Sequence, residues 1–204
     1  GTLTTPPYQT TWDTTFVPDQ MPEAVSLVAR IADLNGYWYV TPVVDSLTFL
    51  RSGTSVHLYK PYNVPDNYVV AAGATRTSNF GIPAGLDLTG AIDAHMLVRT
   101  WNGVDGQAEP GELHHIKVNG NDLPSFGNDH FYSYDQVVVS TSDLINGENE
   151  IEFHSDSSHH GIEVLWPGPA MLVRYNQAPM PAVPTGLTAV ATAASGIDLD
   201  WDDN

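Results

Sequence analysis

The stretch that most constrains the fold is residues 147–175, in which apolar and other side chains alternate. Two runs, residues 150–154 and 162–166, carry an apolar side chain at every second position. A period of two is typical of strands with one buried face. Asn146-Gly147 precedes the first run as a turn dipeptide, and Pro167-Gly168-Pro169 ends the second because proline cannot donate to a ladder. We therefore predict neighbouring strands of a sheet here.

The rest of the chain repeats this pattern in short runs without a helical period. Turn signals such as Asn35-Gly36, Gly103–Gly106 and Asn119-Gly120 separate the runs. The predicted strands are residues 24–33, 37–40, 47–50, 56–59, 68–72, 92–101, 115–118 and 131–140. With the two runs above, they predict an all-β fold, an antiparallel two-sheet β-sandwich of the jelly-roll type with almost no helix.

Composition divides the chain into four segments. Residues 1–22 are rich in Thr and Pro and are predicted to be a linker or an arm that clamps a sheet edge. Residues 23–175 form the predicted sandwich, and residues 176–184, with three prolines, are predicted to be an interdomain linker. We expect residues 185–204 to be the truncated start of a further domain, so that the native chain is longer.

Two segments resemble known families. Pro184-Thr185-Gly186-Leu187 and Ile197-Asp198-Leu199-Asp200-Trp201 resemble the first two strands of a fibronectin type III domain, a likeness that makes Trp201 a core residue. Lys117-Val118-Asn119-Gly120 and Asn146-Gly147-Glu148-Asn149 resemble the galactose-binding-like jelly-roll domains attached to many glycoside-active enzymes. That family includes carbohydrate-binding modules, adhesion domains and spacers, and together the two likenesses imply an accessory domain of a secreted, extracellular bacterial enzyme.

Charge and composition exclude several partners and chemistries. The 24 acidic and 7 basic residues give a formal charge of −17, and the basic residues are scattered singly, which argues against nucleic acid. The absence of cysteine excludes disulfides, thiol catalysis and thiolate zinc sites. No run approaches the ~20 apolar residues of a membrane span, so membrane insertion is not expected. The expected partners are a neutral or weakly charged polysaccharide and neighbouring domains of the parent chain.

Exposed aromatic side chains are the expected platforms for sugar rings. Trp101 and Asn102 lie at a predicted loop mouth, and Trp166 precedes a turn. A core position is the alternative for both tryptophans, and the phase of Trp166 with Ile162 and Val164 favours it. In Tyr37-Trp38-Tyr39 the side chains alternate between faces, so we expect at least one side to be buried.

Histidines and acidic loops supply further candidate groups. His154, His159 and His160 share a loop with Asp156, and His114-His115 is a second pair; the set suits a first-row metal or acid–base chemistry. Hydrogen bonding within the loop explains the same residues. The metal is therefore left unknown, although the oxygens of residues 102–109 and 119–129 would suit structural calcium.

These features support three functional hypotheses. The leading one is a non-catalytic carbohydrate-binding module that uses Trp101, Asn102, His159, His160 and Trp166. The second is a structural spacer or adhesion-type sandwich without a ligand. The third is a small sandwich lyase or hydrolase with His and Tyr as acid and base. No nucleophile elbow, phosphate loop or zinc-protease motif is present.

Overall fold

The computed structural model describes residues 5, 9, 11–84, 86 and 88–177, together with the backbone of two later strands. Its regular structure is almost entirely β. The strands are β1 (Val25–Leu27), β2 (Arg30–Ala32), β3 (Trp38–Val40), β4 (Val44–Leu47), β5 (Thr54–Tyr59), β6 (Val69–Val70), β7 (Ala74–Ile82), β8 (Ala91–Trp101), β9 (His114–Val118), β10 (Asn121–Asp122), β11 (Tyr132–Val139), β12 (Gly147–Ser155), β13 (Ile162–Val164), β14 (Ala170–Asn176), β15 (Thr185–Ala193) and β16 (Gly196–Asp202).

Two main sheets carry the fold, and every strand pair is antiparallel. One sheet has the order β10-β9-β12-β7, and the other has the order β5-β14-β8-β13-β6 with β11 on the free side of β8. β8 is the central strand, because β11 pairs along one side of it while β14 and then β13 pair along the other. The predicted all-β, two-sheet antiparallel sandwich is confirmed, and helix is confined to the single 3₁₀ turns Leu88–Gly90 and Thr141–Asp143 among the described residues.

The core lies between the two sheets. Every second side chain of β7 and β12 faces the six-stranded sheet, and Phe80 and Phe153 are fully buried there. Met96 and Val98 of β8 and Met171 of β14 oppose them and are equally buried. This burial of alternate residues is the pattern on which the strand prediction depended.

The asparagines of the jelly-roll motifs hold strand ends together. Asn119 Nδ2 donates to Asp143 O at 2.7 Å and to Asn149 Oδ1 at 2.8 Å, and Asn119 Oδ1 accepts from Glu150 N at 2.9 Å. Asn149 is fully buried, and its amide bonds both the N–H and the carbonyl of Ile145. These motif residues therefore stabilise the fold and do not face a ligand.

Residues 24–47 lie outside the two main sheets. β1 pairs only with β4 and β2 only with β3, the latter pair joined by the predicted turn at Asn35-Gly36. Tyr37, Trp38 and Tyr39 are all exposed, so the prediction that one side of this run is buried was wrong. Its cause is topological, since no second sheet covers a pair of three-residue strands. The strand predicted at residues 47–50 lies instead at Val44–Leu47.

Trp166 is a second correction. Its side chain is 89% exposed, so the core position favoured by its phase with Ile162 and Val164 was wrong. β13 ends at Val164, and the bond from Gly168 N to Leu165 O closes a turn that breaks the alternation before Trp166. A strand period predicts orientation only within the strand.

The N-terminal arm, residues 11–20, packs on the outer face of the six-stranded sheet. Asp19 N donates to Val56 O of β5, and the Arg51 guanidinium donates to Asp19 Oδ1 at 2.6 Å and to two backbone carbonyls of the arm. Phe16 stacks on His95 with ring centroids 3.9 Å apart. Leu172 points to this face, since Met171 and Val173 point into the core, and yet it is only 1% exposed. The arm therefore covers part of the outer face.

β15 and β16 pair with each other as an antiparallel hairpin, within the segment predicted to resemble fibronectin type III. The side chains of this hairpin, including Trp201, and most of the predicted linker at 176–184 lie outside the described residues. Among the described residues, no helix has the length and apolar character that a membrane span requires.

Candidate functional site

An open groove of about 590 Å³ lies between the arm and the outer face of the six-stranded sheet. We call it the arm groove. Its lining residues are Thr11, Trp12, Asp13, Phe16, Val17, Pro18, Gln20, Leu97, Tyr134, Gln136 and Leu172. The volume is within the ~300–1,000 Å³ range of small-molecule sites, and the mixture of aromatic, aliphatic and amide side chains is typical of them.

An aromatic strip leads from the arm groove along β11. It consists of Trp101, Tyr132 and Tyr134, which share one face because Tyr132 pairs directly with Trp101 and Tyr134 lies two residues further along. Tyr132 is 57% and Tyr134 65% exposed, whereas Trp101 is half-buried. The two tyrosines are about 7 Å apart along the strand, from a rise of ~3.4 Å per residue. Since Tyr134 also lines the arm groove, strip and groove form one surface.

Three histidines gather at the Trp101 end of this strip. His130, His159 and His160 have ring centroids 4.1–5.3 Å apart, and we call them the histidine cluster. The Trp101 ring contacts His130 at 5.8 Å and His160 at 5.7 Å, and its Nε1 donates to His130 O at 3.1 Å. The structure thus brings together three of the residues predicted to bind a ligand, namely Trp101, His159 and His160. Trp166 has no ring contact with this cluster among the described residues.

Asn102 lies beneath the cluster and links its two loops. It is fully buried with φ +54°, its Nδ2 donates to Gly161 O at 3.2 Å, and its Oδ1 accepts from His130 N at 2.9 Å. With both ends of the amide bonded within the protein, Asn102 offers no group to a glycan in this conformation. We therefore reassign it from a ligand contact to a residue that positions His130 and the loop before β13.

Asp105 anchors the loop that carries His159 and His160. Its side chain is only 2% exposed, and it accepts from Ser157 Oγ at 2.5 Å and His160 N at 3.0 Å. Gln107 N and His159 Nδ1 add bonds of 3.1 and 3.2 Å. Burial alone would raise the pKa of the Asp105 carboxyl, but these hydrogen bonds overcome it and hold the pKa well below the usual range.

This depressed pKa predicts an acid-sensitive loop. A carboxylate with a lowered folded-state pKa stabilises the protein above its unfolded value of about 3.9, and this contribution is lost as the pH falls through the folded-state pKa. Asp105→Asn should therefore lower the free energy of unfolding by about 2 kcal/mol at pH 7, because one of the two accepting oxygens becomes an NH₂ group that faces other donors. The free energy of unfolding of this variant should also fall less steeply below pH 4 than that of the wild type. Urea unfolding at several pH values would measure both slopes.

The buried Ser157 offers a graded control for this prediction. Ser157→Ala removes the shortest bond but leaves the carboxylate, so we expect a smaller loss at pH 7 and an intermediate slope below pH 4. Parallel pH profiles for the wild type and Asp105→Asn would contradict the role given to Asp105.

Two of the remaining predicted histidines, His115 and His154, form a separate group on the four-stranded sheet, whereas both ring nitrogens of His114 are buried without a hydrogen-bond partner in the described part of the chain. Asp156 bridges His115 and His154, with one oxygen 2.9 Å from His154 Nε2 and the other 2.9 Å from His115 Nε2. His154 Nδ1 is 2.8 Å from Thr75 Oγ1. The hydrogen bonds from His154 and His115 lower the pKa of the Asp156 carboxyl. His154 and Asp156 thus do not join His159 and His160, although the sequence places all four in one loop.

Sequence reasoning missed His130. Its Nδ1 forms a short hydrogen bond with Asp129, whose Oδ1 also accepts from Gly106 N at 3.1 Å. His130 comes two residues before β11, so it reaches Trp101 only through the pairing of β11 with β8. The one local signal was an Asp-His pair just before a predicted strand.

Comparisons with known proteins give no family. No protein-family model matches the chain, and no curated protein matches it. It is similar to a solved β-porphyranase of glycoside hydrolase family 86 from the human gut bacterium Bacteroides plebeius, with 14% identity and a TM-score of 0.41 over 76% of this chain and 30% of that one. It is also similar to wild-type BuGH86 solved in complex with neoagarooctaose, with 13% identity and a TM-score of 0.46 over 75% of this chain and 27% of that one. The chain thus spans less than a third of either neighbour, and likeness at this level carries no argument about function.

Proposed function

We propose that this chain is a non-catalytic carbohydrate-binding domain and that the arm groove and aromatic strip bind a linear, neutral polysaccharide. The observation that carries the proposal is the open groove of about 590 Å³ with the exposed aromatics Trp12 and Tyr134 in its walls. Aromatic faces of this kind stack on the flat C–H faces of sugar rings.

The polar groups of the groove suit sugar hydroxyls. Gln20 and Gln136 each bring an amide with donors and an acceptor, and Asp13 brings a carboxylate. The lining residues of the groove include no basic side chain, although Arg99 lies over the Tyr132 ring of the strip at 5.9 Å, and the formal charge of −17 repels polyanions, so we propose a neutral glycan. The continuation of the groove into the strip favours a chain of several sugar units over a single sugar.

The residues predicted from the sequence to contact a ligand have different roles in this proposal. Trp101 belongs to the strip, and His159 and His160 lie beside its end, where they would meet the last sugar of a long chain. Trp166 is exposed but outside both surfaces, so it has no assigned contact. The jelly-roll motifs and the fibronectin-like continuation support an accessory place within a secreted modular enzyme.

Calorimetry and affinity electrophoresis over a panel of neutral linear polysaccharides would test the proposal. We expect binding to at least one member, with Trp12→Ala and Tyr134→Ala each weakening it at least tenfold, since each removes a stacking face. Trp166→Ala is the matched control, because it removes an exposed indole outside the groove and should leave the affinity unchanged.

Two results would overturn the proposal. Failure to bind any polysaccharide would support the spacer hypothesis instead. Release of shortened products from a bound polysaccharide, detected by chromatography and lost in His160→Ala, would support the lyase or hydrolase hypothesis and contradict a non-catalytic role.

A further inference from the structure

We propose that the histidine cluster, His130, His159 and His160, is a binding site for a divalent first-row transition metal, with Zn²⁺ as the best fit. One ring nitrogen of each histidine lies within 4.8 Å of the other two. Nitrogens that bind one tetrahedral ion at 2.0–2.1 Å are ~3.4 Å apart. Because His159 and His160 are exposed, their rings have room to rotate toward this spacing.

The hydrogen bonds around the cluster are those of metal-binding histidines. His130 Nδ1 bonds Asp129, and His159 Nδ1 is 3.2 Å from Asp105 Oδ1. In each ring this leaves Nε2 as the nitrogen available to an ion. Ligating histidines almost always donate their other ring N–H to a carboxylate or carbonyl, which fixes the tautomer and increases the basicity of the ligand.

The supporting carboxylates are themselves held in place. Asp129 Oδ1 also accepts from Gly106 N, and Asp105 is buried among bonds from Ser157, Gln107 and His160. Both oxygens of Asp105 and Oδ1 of Asp129 accept from protein donors, so we assign these carboxylates as supports, while Oδ2 of Asp129 stays open and Asp105, Asp129 and His130 also hold ligand atoms within 4.8 Å of one another. A site whose supports are fixed in advance needs little rearrangement to bind an ion.

The chemistry of the donors selects the ion. Three imidazole nitrogens suit Zn²⁺ and its first-row neighbours, whereas Ca²⁺ and Mg²⁺ require oxygen ligands. Three protein ligands leave a fourth position for water or an added ligand, as in open zinc sites.

The second histidine group gives an internal control. His154 has Nδ1 beside Thr75 and Nε2 beside Asp156, so both of its nitrogens are engaged. His154→Ala removes one imidazole from the chain, as the cluster variants do, but removes no proposed ligand. The metal test is separable from the glycan test, because none of the three cluster histidines lines the arm groove and the titration needs no polysaccharide.

A calorimetric titration of metal-free protein with ZnCl₂ tests the site. We expect one Zn²⁺ per chain in the wild type and in His154→Ala. His130→Ala, His159→Ala and His160→Ala should each weaken binding more than ~100-fold, and Asp129→Asn ~10-fold or more, since supporting carboxylates typically contribute 10–100-fold. Co²⁺ in place of Zn²⁺ should give the visible absorption of a four-coordinate site in the wild type and lose it in the cluster variants.

The His160→Ala variant distinguishes loss of a metal ligand from misfolding. No hydrogen bond of the His160 ring is present among the described residues, so His160→Ala should keep the far-UV spectrum and unfolding temperature of the metal-free wild type. Absence of stoichiometric Zn²⁺ binding in the wild type would overturn the proposal. Equal weakening by His154→Ala and His160→Ala would do the same.

Discussion

Gly161→Ala should lower the free energy of unfolding by about 3 kcal/mol and displace the loop that carries His159 and His160. A Cβ at position 161 would lie 2.1 Å from Val70 O and 2.8 Å from Ala71 Cα. Both atoms are backbone, and Val70 pairs with Ile162, so neither can rotate away as a side chain would. The pairing of β6 with β13 must therefore open, which urea unfolding would measure.

Gly81→Ala is the matched control for this substitution. Gly81 lies within the paired strand β7. Its added Cβ would meet only Tyr62 Cε1 at 3.8 Å and Gly147 O at 3.9 Å, both ordinary contacts. We expect its stability to change by less than about 1 kcal/mol. Equal unfolding midpoints for the two variants would show that the loop before β13 tolerates displacement.

Asn102→Ala should cost about 3 kcal/mol through two separate effects. The part-buried N–H of His130 and carbonyl of Gly161 lose their partners, which costs about 1–3 kcal/mol in total. Alanine at φ +54° adds about 1 kcal/mol, because a left-handed backbone brings Cβ close to the carbonyl. Denaturant unfolding of the purified variant would give the sum.

Two further variants separate these effects. Asn102→Gly removes the backbone strain but not the lost bonds, so about 2 kcal/mol of the loss should persist. Asn63→Ala places alanine at φ +53° on the surface and should cost only about 1 kcal/mol. If Asn102→Ala cost no more than Asn63→Ala, the buried amide would not hold the two loops.

The parts of the fold that the sequence predicts well are local. The alternation in residues 150–154 places Ile151 and Phe153 in the core, and Gly147 has the positive φ that its turn dipeptide requires. Asn119 and Asn149 were linked to a fold family by resemblance, and their hydrogen bonds explain why such motifs indicate a fold without indicating a ligand. Neighbouring residues determine the alternation and the turn, whereas the bond between Asn119 and Asn149 joins two strand ends and was indicated only by the resemblance.

The parts that the sequence does not predict depend on distant contacts. Leu172 is buried on the outer face, part of which the arm covers, and Tyr37–Tyr39 are exposed because none of the described strands packs on them. His130 joins His159 through the pairing of β11 with β8, which no local pattern encodes. The sequence predicts that Trp101 lies beside a loop, because it ends a strand. It does not predict that the side chain of Asn102 is buried.

The arm couples the groove to residues outside it. One wall belongs to the sheet, whereas the other is a segment that forms no strand over residues 11–22 and is attached through the Arg51 guanidinium, the bond from Asp19 N to Val56 O and the stacking of Phe16 on His95. A molecule that touches both walls must favour the attached position of the arm, and by reciprocity firmer attachment must favour that molecule. Changes at Arg51, which does not line the groove, would thus tune affinity from a distance.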